Sequence, residues 1–259
     1  MLLVRPIHDV DFLARYDLGV ETHITRDDIK TGYEKYIPFV HGVHLPYKDI
    51  NLAAFDPAER RAGIDHIKKC VETGRRYPVD RMVMHPCGVL SFQGEPCGTY
   101  GPLVDSLREI ADFTAQKGLL LCLENQLYKP ASVKIVVGCS SEEWFRLYRD
   151  IGRPNVKLTF DSSHAASWAA GEKDDEKRLS ALWRYLDHPD YIGRFHWSDS
   201  RISGGESLFT DMHLVPGQGD LPRDFHRAIL DHPAVKLLEQ RCPSEEVAEG
   251  LKFIASLRD

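Results

Sequence analysis

The chain has 259 residues, 42% of them hydrophobic and 28% charged, which is enough apolar content for a packed core and excludes a disordered chain. Its 33 basic and 39 acidic side chains give a formal charge of −6, excluding a generic basic nucleic-acid coat but not a metal-assisted phosphate site. The opening MLLVRPIHDVDF lacks the basic and long apolar parts of a signal peptide, and no apolar run reaches the ~18 residues of a transmembrane helix. A cytoplasmic chain with no membrane partner is expected. The six cysteines form no CxxC pair and read as reduced thiols.

Taken in chain order, short apolar windows predict strands over residues 2–7, 18–24, 40–45, 81–85, 119–124, 156–161, 192–197 and 234–239. Near-continuous apolar runs of this kind suit parallel strands buried on both faces. Helices are expected between them. Asp56-Pro57-Ala58-Glu59 opens one, with an acid at the N-cap and proline at the first helical position. Ser140 and Glu143 stand at capping-box spacing for another. Residues 101–117, 176–187, 222–231 and 244–257 read as further helices, while the connection over 8–17 is short for a full one. Eight strand-then-helix units predict α/β architecture, a single (β/α)8 TIM barrel over residues 1–259. A doubly wound open sheet would need a Gly-rich phosphate turn after its first strand, and none is present.

Barrel enzymes carry their chemistry at the C-terminal ends of the strands. Here those ends fall at or beside His8, His23, His44, His85, Glu124, Asp161, His196 and Glu239, with His164 and the pair Asp211 and His213 following closely. A lone strand-end histidine is ordinarily a hydrogen-bonding residue, and a lone carboxylate a helix cap or half of an ion pair. The set differs from its members, because acids crowded at one mouth repel one another and are costly to desolvate. Divalent cations remove that penalty, and mixed imidazole and carboxylate donors suit zinc, manganese or iron. A catalytic zinc takes about three protein ligands, so the nine candidates from His44 onward exceed one site and suit two or three ions sharing a carboxylate.

These residues resemble the xylose-isomerase-like barrel superfamily, and within it the endonuclease IV (family 2 apurinic/apyrimidinic endonuclease) branch. The similar segments are His44-Leu-Pro-Tyr47 with Asn51-Leu, His85-Pro86, Leu123-Glu124-Asn125, Asp161-Ser-Ser-His164-Ala165, His196-Trp-Ser-Asp199-Ser200, Asp211-Met-His213 with Gly217-Gln-Gly219, and Leu238-Glu239. The resemblance implies that His44, His85 and Glu124 hold one ion. Glu124 would bridge to a second ion, held also by Asp161, His196 and Glu239, and His164, Asp211 and His213 would hold a third. It implies two or three zinc ions (manganese, iron or cobalt being possible), with Glu124 and Glu239 orienting the nucleophile that attacks a phosphodiester. Tyr47 would line the substrate pocket, His8 would belong at most to that pocket, and Asp199 would support a ligand instead of being one. Abasic DNA or a smaller phosphoester would be the substrate.

The alternative within the superfamily is a sugar or sugar-phosphate isomerase or epimerase. One ion would then sit on Glu124, Asp161, His196 and Glu239, with the two glutamates as acid and base and with His164 and Arg201 contacting substrate. Isomerases often carry a further glutamate about six residues after the fifth-strand one, where this chain has Pro130. Of the tryptophans, Trp197 is expected near the pocket and Trp144, Trp168 and Trp183 in packing. Cys87 reads as a small buried thiol. Residues 91–100, with Gly94, Pro96 and Gly98, stand where a loop lid over the mouth would be.

Overall fold

The computed structural model describes residues 1–24, 34–129, 133–203 and 211–259, so the Pro130 position lies outside the described residues. The apolar windows become β1 (Leu2–Val4), β2 (Gly19–His23), β3 (Val40–His44), β4 (Arg81–Met84), β7 (Leu120–Glu124), β9 (Val156–Asp161), β10 (Ile192–Trp197) and β11 (Val235–Leu238). All pair in parallel, in the closed order β1-β11-β10-β9-β7-β4-β3-β2. Closure leaves the barrel without an edge strand, and Val4, Val20, Val43, Met82, Leu121, Leu158 and Phe195 are buried in the core between the strands and the helices. Among the described residues no helix is long and apolar enough to cross a membrane.

The first window overshoots its strand. Pairing stops at Val4, ahead of Arg5 and Pro6, and proline has no N–H to give a ladder. His8 therefore lies beyond the strand end, in the turn before α1 (Val10–Arg15), a six-residue helix that explains the short first connection. The helix α2 (Pro57–Gly74) starts where its signals place it, with the Asp56 carboxylate accepting the Ala58 N–H at 2.8 Å. After α3 (Tyr100–Gln116), Ser140 caps α4 (Ser141–Ile151) by accepting the Glu143 N–H at 3.2 Å. The capping box is only half formed, because the Glu143 carboxylate accepts the Gly138 N–H instead. The segment 176–187 divides into α6 (Asp175–Trp183) and a 3-10 turn over Arg184–Leu186. The ring ends with α7 (Arg223–Asp231) and α8 (Ser244–Ser256).

Two features were not expected. A short helix, α5 (Ser162–Ala169), follows β9 directly, capped by Asp161. Residues 91–100 are not a loop: β5 (Val89–Phe92) turns through Gln93 and Gly94 into β6 (Glu95–Pro96), and β5 also pairs with β8 (Lys134–Val136). Both turn residues have positive φ, 51° and 82°, the two-residue hairpin geometry that glycine permits at least cost. This small antiparallel sheet ties the connection after β4 to the one after β7.

Candidate metal centre

Barrel register brings the candidate donors to one mouth. His44 and Glu124 end β3 and β7, Asp161 ends β9, and His196 pairs with Asp161 across β10 and β9. His85 and Glu239 follow β4 and β11 by one residue, and His164 stands in the first turn of α5. Glu124 is the hub. One of its oxygens lies 3.0 Å from His44 Nε2 and 3.7 Å from His85 Nε2. The other lies 3.3 Å from His164 Nδ1 and 3.3 Å from His196 Nδ1. His196 Nδ1 is also 2.9 Å from Glu239 Oε2 and 3.9 Å from Asp161 Oδ2. Asp211 Oδ1 stands 2.5 Å from His213 Nε2 and 3.7 Å from His164 Nε2.

Among the described residues, three groups have donor atoms within 4.8 Å of one another: His44, His85 and Glu124; Glu124, Asp161, His196 and Glu239; and Asp161, His164 and His213. The first two are the sets the resemblance implies. In the third, Asp161 joins His164 and His213, with Asp211 against both rings.

The residues fit divalent ions on a second ground. Each imidazole has one nitrogen engaged by the protein and the other left for the centre, the arrangement that fixes the tautomer of a metal-bound histidine. Nδ1 of His44 meets the Leu45 carbonyl at 2.7 Å, Nδ1 of His164 the Asn125 carbonyl at 2.8 Å, and Nδ1 of His213 the Ser198 hydroxyl at 3.1 Å. Nδ1 of His85 lies 2.5 Å from the Gln126 amide. His196 is reversed: its Nε2 lies 3.0 Å from Glu21 and its Nδ1 faces inward. Moreover, Asp161 Oδ2, Glu239 Oε2 and both nitrogens of His196 are buried without a hydrogen bond of acceptable geometry. Lone pairs that converge with no donor to satisfy them are what a cation requires.

The electrostatics follow from the crowding. Burial pushes the Asp161 carboxyl up, against the pull of His164 and His213, to about 6. Burial also disfavours the His213 imidazolium, but the Asp211 carboxylate outweighs it and lifts that group to about 9. At His85 burial prevails and lowers the ring to about 4. Burial alone would raise Glu124, yet His85, His196 and His44 hold it well below the usual carboxylate range. Protons on these rings occupy the same lone pairs that an ion needs, so the two compete.

A cavity of about 670 Å³ opens over the donors, lined also by Arg5, His23, Tyr47, Lys48 and Arg241. A second, of about 600 Å³, shares Tyr47, Lys48 and His85 and runs on past Cys87 to Phe92 and Lys134. Tyr47 lines both cavities, 40% exposed, with its ring 4.6 Å from that of His85. His8, expected at most in the substrate pocket, lines neither cavity: it is buried beside the start of α8, its Nδ1 3.1 Å from the Ser244 hydroxyl and its ring against Phe12. The position next to Glu239 belongs to Arg5, whose Nη1 donates to Oε1 at 2.8 Å. Arg201 is exposed on the segment after β10. Trp197 is wholly buried and donates to His226 at 2.9 Å. Asp199 binds His226 and accepts the Gly217 and Leu221 N–H groups, so it shapes the loop that carries His213.

Sequence reasoning missed Glu21, Arg194 and Arg5, and gave Asn125 no role beyond its place in the Leu123-Glu124-Asn125 segment. Asn125 joins Glu124 to Asp161, its side chain exchanging hydrogen bonds of 2.7 and 3.0 Å with the Asp161 backbone. The signal for Glu21 and Arg194 was opposite charges inside two apolar strand windows.

The profile of the xylose isomerase-like TIM barrel matches residues 11–257. The chain is 26% identical over 184 residues to the uncharacterized protein MJ1311 of Methanocaldococcus jannaschii, covering 69% of this chain and 56% of that one. This chain thus spans little more than half the length of that relative. Among solved structures, a D-tagatose 3-epimerase-like protein superposes with a TM-score of 0.70 at 18% identity, covering 100% of this chain and 97% of the other. Endonuclease IV from Thermus thermophilus superposes with a TM-score of 0.63 at 20% identity, covering 96% of this chain and 92% of the other.

Proposed function

The chain belongs to the xylose isomerase-like TIM barrel family, and from that premise we propose that it hydrolyses a small phosphate ester with the help of two or three divalent ions, zinc foremost. The observation that carries this reading is the fusion of three donor groups through Glu124 and Asp161. A single ion on Glu124, Asp161, His196 and Glu239 would leave His44, His85 and His213 without a purpose at the mouth. Closely spaced ions activate water and stabilise the attacking and leaving oxygens of a displacement together. The remaining work is done by side chains. Glu124 and Glu239, which both face His196 Nδ1, orient the nucleophile, with Glu239 held in place by Arg5. Lys48 and Arg241 line the cavity where a phosphate would enter and supply charge to bind it. The Tyr47 hydroxyl, its pKa raised by burial and by Glu124, stays protonated and donates to the substrate.

A second cavity beside the one over the donors, sharing Tyr47, Lys48 and His85 and reaching Phe92 and Lys134, offers room for a sizeable second group on a phosphoester. Abasic DNA is the larger substrate of the same chemistry, and the net charge of −6 weighs against it. The second reading is a one-ion sugar or sugar-phosphate epimerase, which the buried quartet Glu124, Asp161, His196 and Glu239 would serve by itself. Metal analysis of protein purified without added ions, coupled to turnover of phosphomonoesters, phosphodiesters, an abasic oligonucleotide and ketoses, separates them. The expected result is two or three zinc-like ions per chain and phosphate-ester cleavage. One manganese, cobalt or magnesium ion with ketose turnover overturns it.

A further inference from the structure

Behind the metal centre lies a charged pair that the proposed chemistry does not touch. Glu21 in β2 and Arg194 in β10 are both wholly buried, and they form an ion pair across the barrel interior. The other Glu21 oxygen faces Nε2 of His196 at 3.0 Å. The same ring presents Nδ1 to Glu124, Asp161 and Glu239. Gly42 in β3 makes room for the pair, since a Cβ there would come within 2.9 Å of the Arg194 guanidinium carbon and 2.8 Å of Glu21 Oε2. Two buried charges are expensive to desolvate, and one hydrophobic pair of similar volume would ordinarily serve a barrel core at least as well. The pair is arranged so that Glu21 keeps one oxygen free for the imidazole.

Resting on the reading that His196 is a metal ligand, we infer that Glu21 is a positioning residue which accepts the Nε2 proton of His196 and so commits Nδ1 to the ion, with Arg194 and Gly42 holding Glu21 in place. The carboxylate fixes both the tautomer and the plane of the ring. Of the five candidate histidine ligands, His196 is the one engaged by a charged group on the side facing away from the centre. Its ion should therefore be the one most sensitive to a change behind it.

The test titrates metal-free protein with cobalt(II) against a chelator, with the absorption bands reporting each class of site. Glu21→Gln is expected to weaken one ion by about 10- to 100-fold and to leave the ion on His44 and His85 within about threefold of wild type. Because glutamine leaves Arg194 uncompensated, the double change Glu21→Gln with Arg194→Met removes both charges and is expected to show the same selective loss. Either variant, folded and binding every ion like wild type, overturns the inference. Nitrogen-15 NMR of the zinc-loaded wild type decides it without any substitution. A His196 ring bound through Nδ1 with a protected proton on Nε2 supports it, and a ring bound through Nε2 overturns it. A wild-type chain that takes up no ion defeats the functional reading and this inference together, whereas normal uptake with an insensitive Glu21→Gln defeats the inference alone.

Discussion

Asp161 divides its carboxylate between the fold and the centre. Oδ1 accepts the backbone N–H of His164 at 2.8 Å, capping α5, while Oδ2 is buried facing His196 Nδ1 at 3.9 Å. The cap also sets where His164 stands, because the first helical turn carries that ring back over the barrel mouth. Asparagine is as good a cap as aspartate but offers an amide where the ion needs an anionic oxygen. Asp161→Asn is therefore expected to keep the metal-free stability close to wild type and to lose at least one ion per chain. Asp161→Ala is expected to lose the ion and about 1 kcal/mol of stability besides. Urea unfolding of the metal-free proteins together with metal analysis checks both, and equal stability of the two variants would show that the cap contributes nothing.

His213→Ala separates the two reaction classes. It is expected to lower the ion count by one and phosphate-ester cleavage by about 100-fold or more, the upper end of what even the loss of a ligand's supporting partner costs. Below pH 6.5, where the ion pair of His213 with Asp211 contributes stability, the metal-free melting temperature is expected to fall, and it is expected to change little once the pH has risen past about 9. Unchanged turnover with one ion per chain would instead mark the quartet around His196 as the working site.

The loop that presents His213 depends on close packing around Asp199. Gly217 takes a φ of 96° and gives its N–H to Asp199 Oδ2 at 2.9 Å. At Gly219 a Cβ would come within 2.6 Å of the Asp199 carboxyl carbon and closer still to the Ser200 carbonyl. Gly219→Ala is thus expected to cost about 1–3 kcal/mol through overpacking and to weaken the ion on His164 and His213 before the others. Calorimetric unfolding and zinc titration would measure it, and a variant with both quantities at wild-type values contradicts the proposed packing.

Proton and metal should pull stability in opposite directions above neutral pH. In the metal-free fold His213 titrates near 9 instead of 6.5, and His44 and His164 are raised as well. Between those values the folded state holds protons that the unfolded chain has released. Their contribution is complete below pH 6.5 and is lost as pH rises through about 9. Metal binding must displace the same protons, so affinity rises across that window. The melting temperature of the metal-free protein is expected to fall from pH 6.5 to 9 while the increment added by zinc grows. A zinc affinity independent of pH there would contradict it.

Much of this was legible in the sequence, for reasons that can be named. A parallel barrel buries both faces of each strand, so its strands stand out as apolar windows, and a polar residue closing such a window marks the mouth. His44, Glu124 and Asp161 are found that way. His8 misled because the window containing Arg5 and Pro6 ran past the true strand end at Val4, which gave Arg5, not His8, the place beside Glu239. The helix α5 was hidden because its start signal, Asp161, was already read as a ligand, and nothing in a linear sequence shows one carboxylate serving twice. The small sheet was missed because Glu95–Pro96 and Lys134–Val136 are too short to show periodicity, and pairing across so long a separation leaves no local trace. Glu21 and Arg194 needed the barrel register to be brought face to face.

The sheet formed by β5, β6 and β8 makes one side of the entrance behave as a single braced panel. His85 and Gln126, 2.5 Å apart, sit where the two connected loops leave the barrel, so neither loop can be lengthened or reshaped without dragging a candidate ligand with it. Diversification of what this chain accepts is consequently steered to the opposite shore and, since Arg5 there is itself tied to Glu239, to the surroundings of Arg241.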